Sequence, residues 1–129
     1  MIEKNKILIV EDEAIIAQEM KIILEQQGYI VCPIASRTGQ AIRYTSEYKP
    51  HIVLMDIILK GSDSGIEAAR IIGRENHVPI IFLTGNPDLL DKETGSAEYF
   101  GGIVVKPPSI TRLTTLISQA LDSRPSGGP

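Results

Sequence analysis

The sequence predicts an α/β fold whose parallel sheet is covered by helices on both faces. Four short apolar runs support this fold, because none alternates with polar residues as a strand with one wet face would. The runs span residues 7–10, 52–55, 80–83 and 103–105. A weaker fifth strand is predicted over 29–34, and each segment between strands is long enough for a helix. This alternation implies right-handed crossovers and a doubly wound (βα)5 sheet.

Apolar spacing and breaker residues predict the helices. Five residues recur at helical spacing in the first one: Ile16, Met20, Ile23, Leu24 and Gln27. Gly28 is placed to end it, a second helix is predicted over 39–48, and a third over 66–74. The last helix carries an apolar stripe made of Leu113, Leu116, Ile117, Ala120 and Leu121. The segment 87–99 is the least periodic, so we expect its helix to be short or mobile.

Length, charge and cysteine content limit the possible functions. A chain of 129 residues fits one domain of roughly 100 to 200 residues, predicted here over 5–122 with a disordered tail over 123–129. The net charge of −3, with both signs scattered, argues against nucleic acid as a partner. The single cysteine, Cys32, excludes an intrachain disulfide and is expected to be a small buried hydrophobe. The N-terminus predicts neither a signal peptide nor a membrane span, so we expect a cytoplasmic protein.

Chemically selected residues follow the predicted strands at their carboxyl ends, where function lies in such folds. They are Glu11, Asp12 and Glu13 after the first strand, Asp56 after the third, Thr84 after the fourth and Lys106 after the fifth. Taken one at a time, each has an ordinary structural explanation. Glu13 we assign to the favourable electrostatics of a helix N-terminus. The remaining residues indicate a function only when they are considered together.

Three carboxylates should converge at this edge, because the strand that ends at Asp56 should lie beside the strand that precedes Glu11 and Asp12. Like charges that converge raise each other's pKa unless a cation is bound. One or two carboxylates together with a phosphate oxygen are the ligands that suit Mg²⁺. The sequence therefore predicts a divalent-metal site.

A metal, a hydroxyl and an ammonium beside a carboxylate are the groups needed to receive a phosphoryl group. Phosphoryl transfer depends on positioning and charge neutralisation rather than on elaborate acid–base chemistry. Asp56 could attack in line and form an acyl phosphate, while Mg²⁺, Lys106 and Thr84 stabilise the equatorial oxygens.

Over roughly residues 5–122 the chain resembles the receiver domain of bacterial response regulators, the CheY-like phosphoacceptors of two-component signalling. The supporting segments occur in the family's order at residues 7–13, 53–57, 65–68, 78–85 and 104–107. The resemblance implies a flavodoxin-like fold with strand order 2-1-3-4-5. It implies that Asp56 is phosphorylated by a histidine kinase or histidine phosphotransfer protein. It also implies Mg²⁺ bound by Asp12, with Glu11 supporting it and the backbone carbonyl of Ile58 as a further ligand.

The resemblance extends to the residues that would hold the phosphoryl group. Thr84 would contact it and swing toward it on activation, and Lys106 would pair with it. A cis peptide between Lys106 and Pro107 is common in the family, and Gly85 would leave the pocket open. Ile58 and Asn86 occupy positions that influence attack by water and would tune the lifetime of the phosphate.

Two features depart from the family's pattern. The usual aromatic switch lies three residues before the lysine, where this chain has Ile103, while Tyr99 and Phe100 are out of register. Pro108 stands where an aromatic commonly follows the first proline, so the output face is expected to be remodelled. The segment 82–85 also resembles a subgroup of single-domain receivers in alphaproteobacterial stress signalling.

The sequence thus favours a stand-alone response regulator, which signals by phosphorylation-dependent binding or serves as a phosphate shuttle or sink. It would assist only its own phosphorylation and dephosphorylation, contact a downstream protein through its helix 4, strand 5 and helix 5 face, and exist as a monomer or weak dimer. A small aspartate-nucleophile phosphatase is an alternative, but Ile58 stands where such enzymes carry a second acid. A nucleotide or flavin binder is disfavoured because the acids after strand 1 would repel the anion. A phosphorylation-independent scaffold is the remaining alternative.

Overall fold

Five parallel strands form the centre of the computed structural model, which describes residues 5–59 and 63–122. They are β1 (Lys6–Val10), β2 (Ile30–Val31), β3 (Ile52–Asp56), β4 (Ile80–Thr84) and β5 (Phe100–Val105). Their order in the sheet is β2-β1-β3-β4-β5. The predicted doubly wound architecture and strand order are confirmed. The tail predicted over 123–129 lies outside the described residues.

The helices lie where the sequence predicts them, with differences at the ends. They are α1 (Ala14–Gln26), α2 (Thr38–Tyr48), α3 (Gly65–Asn76), α4 (Lys92–Gly95) and α5 (Ile110–Asp122), with a 3-10 turn at Pro87–Leu89. The prediction of a short fourth helix is confirmed. Within the described part of the chain, none of the helices combines the length and apolar character needed to cross a membrane.

Two predicted boundaries were wrong for local reasons. β2 is shorter than 29–34, because Pro33 has no N–H to donate and the pairing with β1 resumes only as an isolated bridge between Val10 and Ala35. α3 continues two residues beyond 74, and it ends where His77 adopts a left-handed conformation at φ 53°. That conformation closes a helix without glycine at some conformational cost.

Both faces of the sheet are buried, which explains why the strands read as apolar runs. One face packs on α2 and α3, through Leu8, Val10, Val53, Met55, Ile80 and Phe82. The opposite face packs on α1 and α5, through Ile7, Ile9, Ile52, Leu54, Ile81 and Leu83. Full burial of each such side chain contributes about 1.5–3 kcal/mol. Polar residues are therefore confined to the ends of the strands.

Gly65, the first residue of α3, packs closely against the end of β3. A Cβ at this position would overlap the backbone carbonyl oxygen of Asp56. Backbone cannot move aside as a flexible side chain can, so this contact determines how near α3 begins to the sheet edge.

We predict that Gly65→Ala lowers the free energy of unfolding by about 2 kcal/mol, the usual cost of overpacking. The matched control is Gly39→Ala in α2, where a Cβ would meet no heavy atom within 4 Å. That variant should be as stable as the wild type or more stable, because alanine favours helix. Urea unfolding of both measures the difference, and equal stability of the two variants would contradict the proposed overlap.

Candidate functional site

Strand register brings the selected residues to one edge of the sheet. β1 and β3 pair in a register that places Glu11, next after β1, beside Asp56 at the end of β3. The backbone N–H of Lys106, next after β5, donates to the carbonyl of Thr84 at the end of β4 over 2.8 Å. Four residues that are far apart in sequence therefore meet at the carboxyl ends of β1, β3, β4 and β5.

Three carboxylates form a compact acidic cluster at this edge. One oxygen each from Glu11, Asp12 and Asp56 lies within 4.8 Å of the other two. Glu11 is 1% exposed and Asp56 4% exposed, while Asp12 is half-buried at the rim. The structure thus brings together the three acids that the sequence analysis assigned to a metal. Glu13 is exposed and occupies the position just before α1, where a negative charge suits the positive end of the helix dipole.

Lys106 is the cation of the cluster. Its Nζ lies 2.7 Å from Glu11 Oε1 and 3.0 Å from Asp56 Oδ2. Burial lowers the pKa of Lys106, but the two carboxylates outweigh this effect and raise its pKa above the usual value. The ammonium is therefore held in its charged form between two acids. The Lys106–Pro107 peptide bond is cis, as the family resemblance implied.

Glu11 is poorly satisfied despite this ion pair. Its Oε2 accepts from the backbone N–H of Glu13 at 3.2 Å. Its buried Oε1 has no aligned hydrogen bond within the described residues, since Lys106 approaches as an ion pair outside hydrogen-bond geometry. Burial raises the pKa of Glu11 to about 7, and nearby Asp56 adds to the rise while Lys106 opposes it. A buried carboxylate whose Oε1 contacts only the Lys106 ammonium among the described residues keeps room for a further cation.

The net charge of the acidic cluster also favours a bound cation. Among the described residues, three carboxylates face one ammonium, so these groups carry more negative than positive charge when all four are ionised. Hard oxygen ligands and excess negative charge fit a divalent cation such as Mg²⁺. The residues present therefore fit the metal that the sequence analysis predicted.

Ile58 contacts the acidic cluster through its backbone. Its N–H donates to Asp56 Oδ1 over 3.2 Å, so each oxygen of Asp56 has one donor. Its side chain is 62% exposed beside the buried acid. Asp56 therefore both closes a local turn and pairs with Lys106.

Thr84 is buried at the same edge, but its hydroxyl is engaged elsewhere. Thr84 Oγ1 accepts from the backbone N–H of Asn86 at 2.9 Å and donates to the carbonyl of Asn86 at 3.1 Å. The hydroxyl must give up these bonds to reach a group on Asp56. Gly85 is exposed, and a Cβ there would meet nothing within 4 Å, which leaves the approach to the cluster open.

The aromatic residues near β5 belong to the core. Ile103, at the family's aromatic position, packs as a half-buried residue on the core face shared with α3. The ring of Tyr99 lies against Gly73, where a Cβ would overlap it. Phe100 stacks on Phe82 with ring centroids 6.1 Å apart. The position three residues before Lys106 thus holds an aliphatic side chain, and the nearby aromatic rings pack elsewhere against the core.

The sequence analysis missed Asp63, which lies between β3 and α3. Its carboxylate hydrogen-bonds to Thr38 at the start of α2, 25 residues earlier in the chain. A single polar residue in a loop carries no periodic signal of such a contact. Ser64 beside it caps α3 by accepting from the backbone N–H of Glu67 at 3.4 Å, a bond that its position before the helix could have indicated.

Known proteins resemble this chain along almost its whole length. The family described as response regulator receiver domain matches residues 7–118. The phyllosphere-induced regulator PhyR of Methylorubrum extorquens is 33% identical over 118 residues, covering 91% of this chain and 43% of that protein. The DNA-binding response regulator MtrA of Mycobacterium tuberculosis is 32% identical over 104 residues, covering 81% of this chain and 45% of that protein.

A solved structure agrees with the fold. The solution NMR structure of the PhyR response regulator REC domain from Erythrobacter litoralis superposes with a TM-score of 0.84 at 31% identity, covering 98% of this chain and 96% of that one. The chain spans less than half the length of PhyR and MtrA, 43% and 45%. The sequence match, the strand order and the acidic cluster all indicate the same family. The chain belongs to the response regulator receiver domain family, a signalling domain of two-component systems rather than a conventional enzyme.

Proposed function

We propose that Asp56 accepts a phosphoryl group from a phosphohistidine on a histidine kinase or histidine phosphotransfer protein, with Mg²⁺ as cofactor. The chain then signals through phosphorylation-dependent binding, or passes the group on as a shuttle or sink. The observation that supports this most directly is the pairing of buried Asp56 with Lys106 at 3.0 Å. A buried carboxylate next to a fixed ammonium is prepared for a reaction that adds negative charge.

The chemistry requires one bond exchange. A carboxylate oxygen of Asp56 attacks phosphorus, the phosphorus–nitrogen bond breaks, and its electron pair remains on the departing imidazole, which takes up a proton. When bound by Asp12, Asp56 and the backbone carbonyl of Ile58, with Glu11 in support, Mg²⁺ would neutralise charge on the phosphoryl oxygens. Attack by Asp56 itself needs no general base, because a carboxylate nucleophile, unlike a hydroxyl, has no proton to remove.

Lys106 and Thr84 would then stabilise the product. The ammonium of Lys106 needs little movement to exchange Asp56 Oδ2 for a phosphoryl oxygen, because it already lies between the two acids. Thr84 would release the backbone of Asn86 and turn its hydroxyl toward the new group. That exchange would couple the chemistry to the segment that follows β4.

Other proteins would recognise the phosphorylated chain through its exposed surfaces. The phosphoryl group adds roughly −1.5 to −2 charges, enough to bias a rearrangement of the segment 87–99 and of β5. Val105 and Ile110, exposed by 50% and 51%, offer apolar contacts for a downstream protein on the α4, β5 and α5 face. Ile15 and Ile58, exposed by 76% and 62%, offer contacts for the phosphodonor near the acidic edge.

We predict that incubation with a small-molecule phosphodonor adds one phosphoryl group to the wild type, as measured by intact mass. The adduct should require Mg²⁺, because chelation leaves the acidic cluster with unbalanced charge. Asp56→Asn should form no adduct, since the amide is not a nucleophile. Asp88→Asn, an exposed aspartate outside the acidic cluster, is the matched control and should react as the wild type does. An adduct on Asp56→Asn, or none on folded, Mg²⁺-loaded wild type, would contradict the proposal.

We also predict a pH effect on stability from Glu11. Burial raises its folded-state pKa to about 7, above the 4.5 of an exposed glutamate, so the protonated group favours the folded state at low pH and this contribution is lost as pH rises through 7. With chelator present, the unfolding free energy of wild type minus that of Glu11→Gln should therefore fall between pH 5 and 8. Glu19→Gln on α1 controls for the lost charge. Mg²⁺ should oppose the fall, and a flat difference without metal would contradict the assignment.

A further inference from the structure

Asp63, which lies shortly before α3, links its part of the chain to the start of α2 through its side chain. Asp63 Oδ2 accepts from the backbone N–H of Thr38 at 2.9 Å and from Arg37 Nε at 3.3 Å. Arg37 is 59% exposed at its side chain, so its ion pair with Asp63 is a weak contribution. The bond to the Thr38 amide is the principal link.

This link supplies a group that α2 lacks. Arg37 occupies the cap position of α2 and offers no side-chain acceptor. The first N–H groups of a helix need such an acceptor, and a carboxylate also suits the positive end of the helix dipole. The hydrogen bond from the Thr38 amide, followed by the charge of Arg37, lowers the pKa of Asp63. Asp63 is thus an N-terminal cap for α2 that comes from another part of the chain.

The same part of the chain is tied back to Ile58 beside the acidic cluster. Ser64, next to Asp63, forms an isolated antiparallel bridge with Ile58. The N–H of Gly65 donates to the carbonyl of Ile57 at 2.8 Å. Thr38 Oγ1 also donates to the carbonyl of Ser64 at 3.4 Å. A displacement of Asp63 would therefore reach the backbone of Ile58 directly.

The chain just before α2 holds the other side of the cluster. The N–H of Glu11 donates to the carbonyl of Ala35 at 2.9 Å, and the N–H of Ala35 donates to the carbonyl of Ile9 at 3.0 Å. Residues 35–38 thus contact the end of β1 through Ala35 and residues 63–64 through Thr38. They form a brace between Glu11 and Ile58.

We infer that Asp63 is a positioning residue for the metal and phosphoacceptor site, which it serves by locking the Ile58 loop to the segment that holds Glu11. The inference rests on the proposed function, because the geometry that it preserves is that of Mg²⁺ binding beside Asp56. Asp63 itself contacts neither the acidic cluster nor Lys106 in the hydrogen bonds and ion pairs of the described residues. Its effect must therefore pass through the brace.

The test is a calorimetric titration of the whole chain with Mg²⁺ in three variants. Asp63→Ala should bind Mg²⁺ about ten-fold more weakly, the usual effect of losing a group that orients metal ligands. Asp63→Asn keeps an oxygen acceptor for the Thr38 amide and should restore binding close to the wild type. Asp91→Ala is the matched control, because Asp91 caps α4 by accepting from the Thr94 amide at 2.8 Å, away from the brace. It should bind Mg²⁺ as the wild type does.

Equal Mg²⁺ affinity of Asp63→Ala and wild type would overturn the inference, and so would an equal loss in Asp91→Ala. If Asp63→Ala does not fold, Thr38→Pro carries the test, because proline lacks the N–H from which Asp63 accepts and is tolerated as the first residue of a helix. It removes the principal link while Asp63 stays, and unchanged affinity there would also overturn the inference. A different outcome is that the wild type binds Mg²⁺ but forms no adduct with the phosphodonor. That outcome would overturn the proposed phosphoacceptor function, while the Mg²⁺ affinities would still test the positioning role of Asp63.

Discussion

One ammonium among three carboxylates is the interaction on which the rest of the site depends. Lys106 lies within 3.0 Å of both Glu11 and Asp56, which are buried almost completely. Burying two acids is costly, and removing the ammonium that pairs with both would leave uncompensated charge. Lys106 only partly offsets this cost, because burial and, to a smaller extent, nearby Asp56 still raise the pKa of Glu11 to about 7. The protein can thus fold with these acids buried, and the excess negative charge of the cluster attracts a divalent cation.

The two-sided core explains why this chemistry lies at the edge of the sheet. Each strand buries alternate residues against α2 and α3 or against α1 and α5, so polar side chains have no place within it. Register then decides which strand ends meet. A slip of one residue between β1 and β3 would exchange the faces of every side chain on the strand and carry Glu11 away from Asp56. Packing in the core therefore maintains the geometry of the acids.

Local sequence patterns predict the fold and the members of the site well, and long-range contacts poorly. Four apolar runs and one weaker segment predict five strands, and the rule that function follows their carboxyl ends selects Asp56, Thr84 and Lys106. The bond between Asp63 and the Thr38 amide joins residues 25 apart without periodicity, so no local pattern reveals it. The left-handed conformation of His77, at which α3 ends, likewise has no clear sequence signal, because glycine is the residue that usually ends a helix in this way. Tertiary structure thus adds the brace and the charge balance around residues that the sequence already identifies.

Two buried carboxylates, Glu11 and Asp56, pair with Lys106. The central claim is that Asp56 is the one that becomes an acyl phosphate. Reductive trapping with borohydride after phosphorylation, followed by peptide mapping, tests it most directly. An acyl phosphate on an aspartate is reduced to homoserine, which marks the acceptor permanently. We expect homoserine at position 56 alone, and only after treatment with phosphodonor and Mg²⁺. Homoserine at position 12, or a reduced glutamate at position 11, would contradict the assignment of Asp56 as the acceptor.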